Sequence, residues 1–100
     1  MRKRWNSLSE ALRRLIAALR QGRTTLVAVG VGDEVDEDNL RWDECFSLLE
    51  GILVPADEFA WLRLRLQNGH GYFLAGESGA ACYEVGMVLR RVRSLQRLYA

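Results

Sequence analysis

Cysteine, histidine and proline are nearly missing from this sequence, at two, one and one among 100 residues. The two cysteines, Cys45 and Cys82, stand far apart within apolar patterns. They read as buried, reduced thiols, because a secreted chain this small more often carries a dense disulfide set. The stretch 1–21 has no continuous apolar segment, so no secretory signal is expected and the chain reads as cytoplasmic. The single histidine, His70, has no second histidine or Cys-x-x-Cys pair to complete a metal site. No apolar run is long enough to cross a bilayer. The length predicts one domain over 1–100, with a modest core that gains from association.

What the chain has in quantity is charge, and the charge is segregated. Residues 1–23 carry a net +6, residues 24–82 a net −8 and residues 83–100 a net +3, within a total of +1. Basic ends therefore flank an acidic middle. The acids are densest over 33–38, which lacks the alternate spacing and central glycine of a calcium loop. That run reads as a solvated loop, or as a surface that imitates nucleic acid or docks a basic partner. The arginine-rich, amphipathic stretch 1–23 also has the composition of a mitochondrial transit peptide, a weaker reading than a retained helix.

The first helix is announced by Ser7 and Glu10, a capping-box pair, and by Trp5, Leu8, Leu12, Leu15 and Leu19 at spacings of 3, 4, 3 and 4. Gly22 is its natural stop. Residues 24–31, rich in threonine and valine without alternation, predict a strand buried on both faces. A helix capped by Asp36 or Asp38 then runs to about Leu49, burying Trp42, Cys45, Phe46 and Leu49 before Gly51. From Pro55 the signals conflict. Pro55, Asp57 and Glu58 open a helix that Asn68-Gly69 would close. Leu62, Leu64 and Leu66, however, alternate with Arg63 and Arg65 as a half-buried strand does. The run NGHG at 68–71 before Tyr72, Phe73 and Leu74 favours a hairpin, with 52–54 as a short further strand. Ser78 caps a last helix, whose Ala81, Val85, Val88, Val92, Leu95 and Tyr99 are spaced 4, 3, 4, 3 and 4. The expected fold is α+β, a small antiparallel or mixed sheet of three to four strands covered by three helices in the order α-β-α-β-β-α.

Gly76-Glu77-Ser78-Gly79-Ala80 falls where a nucleophile elbow or a phosphate-binding loop would sit. The only histidine precedes that serine, and Ala81, Cys82 and Tyr83 stand where a P-loop needs glycine, lysine and a hydroxyl. The run reads as a glycine turn and a serine cap. There is no paired nucleophile and base, no carboxylate dyad and no cofactor fingerprint. No catalytic, cofactor-binding or metal residue is therefore assigned, no cofactor is expected, and the protein is expected to be non-enzymatic. Two binding functions remain. In the first, a regulatory or adaptor protein binds other protein surfaces and forms a homodimer through its terminal helices. Leu8, Leu12, Leu15, Val88, Val92 and Leu95 then lie at the contact, unless those stripes are core. In the second, Arg2, Lys3, Arg4, Arg13, Arg14, Arg20 and Arg23 join Arg90, Arg91, Arg93 and Arg97 in one basic face for nucleic-acid phosphates. No recognised nucleic-acid module accompanies them. A membrane-surface role for the basic first helix with Trp5 is disfavoured by the acidic middle.

Overall fold

In the structure, a computed structural model that describes the backbone of residues 2–99 and the side chains of residues 8–98, the first helix does not stop at Gly22. Helix α1 spans Arg2–Gly30, 29 residues, or about 43 Å at the usual rise. It begins before Ser7, so the capping-box start is overturned. The side chains of Trp5 and Ser7 lie outside the described residues. Of the predicted strand over 24–31, residues 24–30 form the last two turns of α1 and Val31 lies in the turn that follows. Threonine and valine lower helix propensity by only a few tenths of a kcal/mol each, and the helical stripe continues through them. Leu26 and Thr25 are buried while Val27 is 52% exposed, which a strand covered on both faces would not allow.

The two glycines read as stops inside predicted elements serve another purpose. Gly22 lies within α1, and a Cβ there would come 3.0 Å from the carbonyl oxygen of Leu40. Gly69 lies within the helix Ala56–Leu74, where a Cβ would meet Glu84 and Ala81 of the helix Ser78–Tyr99 at 3.4 and 3.5 Å. Both mark close approaches of backbone. The true stops are Gly32 and Gly76, with φ of 84° and 80°. Each closes a Schellman motif. Gly32 donates to Val29 O and Asp33 to Ala28 O, as Gly76 donates to Phe73 O and Glu77 to Tyr72 O.

Beyond Gly32 the chain doubles back along α1. Asp36 accepts a hydrogen bond from the backbone N–H of Asp38 at 3.0 Å and caps a 3₁₀ turn, Glu37–Leu40. Arg41, with φ of 55°, then breaks the path, so the single helix expected from Asp36 becomes this turn plus α2, Trp42–Glu50. Cys45 and Leu49 are buried as expected, with Trp42 and Phe46 half-buried. The short strand expected over 52–54 is irregular chain with Ile52 buried and Leu53 exposed.

Helix α3, Ala56–Leu74, replaces the predicted hairpin. The alternation that suggested a strand is overruled by a second period in the same residues. Leu62, Leu66 and Gly69 are buried at spacings of 4 and 3, Phe59 and Phe73 flank them, and Leu64 is 55% exposed. Helix α4, Ser78–Tyr99, matches its prediction, with Ala81, Val85, Val88, Val92 and Leu95 all buried. Tyr99's side chain lies outside the described ones.

No strand occurs among the described residues, and the α+β expectation gives way to an all-helical one. The helices form a ring in which α1 packs on α4, α4 on α3, α3 on α2, and α2 with the 3₁₀ turn back on α1. Among the described residues, no close backbone approach joins α1 to α3 or α2 to α4. Gly30 faces Ser78 and Gly86 faces Arg23, so α1 and α4 run antiparallel. Their stripes meet in the core of a bundle 47 × 23 × 20 Å.

Candidate nucleic-acid interface

The ring consumes the apolar stripes. Leu12, Leu15, Val88 and Val92 are fully buried, Leu95 is 2% exposed, and Leu8 packs half-buried against the same core. Five of the six residues offered for a partner contact are thus covered within one chain, and Leu8 is half-covered. What α1 and α4 leave uncovered along their shared seam is basic.

Arg20 and Arg23 extend from α1, and Arg90, Arg93 and Arg97 from α4, along two adjoining clefts of about 270 and 420 Å³. Helix spacing explains the grouping. Arg20 and Arg23 are three residues apart, and Arg90, Arg93 and Arg97 are three and four apart, so each set shares one flank of its helix. Gly86 opens the seam by leaving out a side chain, with Leu89 beside it and Thr24 and Val27 along the α1 side. Thr24 and Val27 escape a sequence reading that assigns them to a buried strand. All five arginines are exposed.

Five other arginines are taken up by carboxylates. Arg14 pairs with Glu10 at 2.8 Å, Arg41 with Glu44, Arg63 with Glu50 at 3.8 Å, and Arg65 with the buried Glu84 at 3.4 Å. Arg91 grips Glu58 of α3 with Nε 3.0 Å from both carboxylate oxygens. The hydrogen bonds to Glu58, and then its charge, raise the Arg91 pKa above its usual value. Among the described residues no carboxylate pairs with Arg20, Arg23, Arg90, Arg93 or Arg97; Arg97 donates to the Ser94 hydroxyl at 3.3 Å. The basic face expected from sequence is therefore divided. Arg20, Arg23, Arg90, Arg93 and Arg97 come together, Arg14 and Arg91 are neutralised elsewhere, and Arg13 stands exposed outside the clefts. The side chains of Arg2, Lys3 and Arg4 lie outside the described ones.

The opposite charge collects elsewhere. Glu37, Asp38, Asp43 and Glu44 rim an open cleft of about 520 Å³ with Trp42 and His70. His70, in the run expected to turn a hairpin, sits within α3, its ring 5.0 Å from Trp42 and 6.0 Å from Phe46. Ser78 begins α4 against Gly30. Each is engaged in a separate packing contact. Cys45 and Cys82 are both free thiols. Burial, followed by the charge of Glu44, pushes the Cys45 pKa up to about 12, against a smaller lowering by Arg41. Among the described residues, no helix is long and apolar enough to cross a membrane. No family model, curated protein or solved structure matches the chain.

Proposed function

We propose that this protein binds nucleic acid through the phosphate backbone, using the arginine-lined seam between α1 and α4. One observation carries this reading, the convergence of five exposed arginines from two helices with no carboxylate partner among the described residues. Guanidinium groups recognise phosphate through planar, paired N–H donors. Unpaired like charges crowded along one seam raise the local potential and favour a polyanion. The seam offers arginine, threonine and aliphatic groups, which suits contact with phosphates rather than the reading of base edges. Binding is therefore sequence-independent, non-catalytic and steeply salt-dependent. Two free cysteines support a reducing setting such as the cytoplasm.

The test is fluorescence anisotropy with labelled duplex and single strands across a salt series. Five neutralised phosphates set a limiting slope of log affinity against log salt of about −4.5 for duplex and −3.5 for single strands. Converting Arg90 and Arg93 to glutamine lowers the duplex slope by about 1.8 and weakens every sequence alike. Converting the paired Arg14 changes little. No binding at low salt, or equal binding by the Arg90/Arg93 variant, refutes the proposal. A protein-binding role in place of this one would use other surfaces than the buried stripes, such as the exposed Val31, Leu74 and Tyr83.

A further inference from the structure

The segment 33–44 is as one-sided as the seam, with the opposite sign. It carries seven carboxylates and one arginine, for a net −6. Asp33, Glu34, Asp36, Glu37, Asp38 and Asp43 are exposed, and among the described residues only Glu44 of this segment has an arginine partner, Arg41. The segment is also held in shape. Asp36 caps the 3₁₀ turn, Leu40 is 3% exposed, and the Leu40 carbonyl sits over Gly22. A row of carboxylates fixed along a turn presents the kind of charge that the arginine seam would meet on a phosphate backbone.

The segment cannot reach the seam of its own chain. Leu40 is anchored at Gly22, and Arg20 projects about 160° and Arg23 about 100° around α1 from that point, given 3.6 residues per turn. The acidic segment and the seam thus lie on different flanks of the same helix. A second copy faces no such restriction.

We propose that the α1–α4 arginine seam of one copy takes the acidic segment 33–44 of a second copy, and that nucleic acid competes with this contact. The proposal shares its seam with the function proposed above and assigns it a protein occupant. Complementary charge is what commits the seam to that occupant, with five arginines on one side and a net −6 on the other. Because the two faces lie on different flanks, a pair of copies leaves one seam and one acidic segment free. The contact is heterologous, so copies add in a row or a ring rather than stopping at a symmetric dimer. Self-association then hides the seam until a polyanion displaces the neighbouring copy.

Sedimentation velocity on nuclease-treated protein, across a concentration series, tests this directly. At low salt the average sedimentation coefficient climbs with concentration without a dimer plateau. High salt weakens association by about tenfold or more and returns a monomer, because exposed charge pairs are screened. Two neutralised variants locate the contact. One carries Arg20→Gln, Arg90→Gln and Arg93→Gln, and the other Glu34→Gln, Glu37→Gln and Asp43→Asn. All six positions are exposed, and circular dichroism checks that each variant folds. Each variant alone stays monomeric where the unaltered protein associates, while an equimolar mixture forms 1:1 pairs and nothing longer. Duplex DNA added to the associated protein dissolves the assembly.

An unaltered protein that stays monomeric at low salt overturns the proposal. So does a mixture that stays monomeric, or a variant that associates as the unaltered protein does. Nucleic-acid binding by the Glu34/Glu37/Asp43 variant is scored separately. Association without nucleic-acid binding leaves the contact between copies standing and removes both the competition and the function above. Binding without association removes the contact and leaves that function standing.

Discussion

Replacing Gly22 by alanine sets two effects of known sign against each other. In an open helix interior, Gly→Ala gains up to about 1 kcal/mol. At Gly22 the new Cβ would lie 3.0 Å from the Leu40 carbonyl oxygen, closer than carbon and oxygen comfortably sit. Leu40 has little room to yield. Its side chain is buried, Asp36 caps the turn before it, and the left-handed Arg41 fixes the path after it. Overpacking of this kind costs about 1–3 kcal/mol, so Gly22→Ala nets a loss of about 1 kcal/mol. Gly71 is the control, since it lies in α3 with nothing within 4 Å of its Cβ position. Gly71→Ala gains about 0.5–1 kcal/mol. Urea unfolding followed by far-ultraviolet circular dichroism should separate the two variants by about 2 kcal/mol, or about 8 °C or more in Tm for a chain this size. If both substitutions stabilise equally, the Leu40 carbonyl does not press on Gly22 and the docking of the 3₁₀ turn is wrong.

Two further outcomes follow from the same structure. The folded Cys45 thiol keeps its proton up to about 12, against an ordinary value of 9.0. Between those values the unfolded state has lost the proton and the folded state has not, so stability falls as pH rises, by about 1.4 kcal/mol per unit. Cys45→Ala should flatten that alkaline decline, and native-state iodoacetamide labelling read by mass spectrometry should modify Cys82 well before Cys45. Arg41→Gly relieves a left-handed arginine worth about 1 kcal/mol and loses an exposed pair with Glu44 worth about 0.5 kcal/mol or less. Thermal unfolding should therefore show a gain of about 0.5 kcal/mol or more, and a loss would mean the pair outweighs the backbone strain.

The helices that packing dominates were legible in the sequence. Val85, Val88, Val92 and Leu95 keep a clean helical period, and every one is buried. The errors came from residues with two physical uses. Glycine ends helices and also lets backbones approach, and Gly22 and Gly69 do the second. Leu62, Leu64 and Leu66 satisfy an alternating period, but Leu62, Leu66 and Gly69 satisfy a helical one, and only the helical set is covered. The β-branched end of α1 misled in the same way, since local propensity is weaker than the burial of Leu26. Charge segregation was visible from composition. The choice of arginines left unpaired was not, because Glu58 reaches Arg91 across 33 positions of sequence.

The closure of the ring between α1 and α4 has a consequence for how the chain holds together. Gly32 and the few residues after it are the link between α1 and the rest of the described bundle. Helix α4, with α2 and the 3₁₀ turn, forms the surface on which α1 lies, so α1 behaves as a ligand carried on a short tether. A tether of this length keeps such a ligand at a local concentration on the order of millimolar. Separated as a peptide, α1 would occupy the same surface to an extent set by how much of it is in solution.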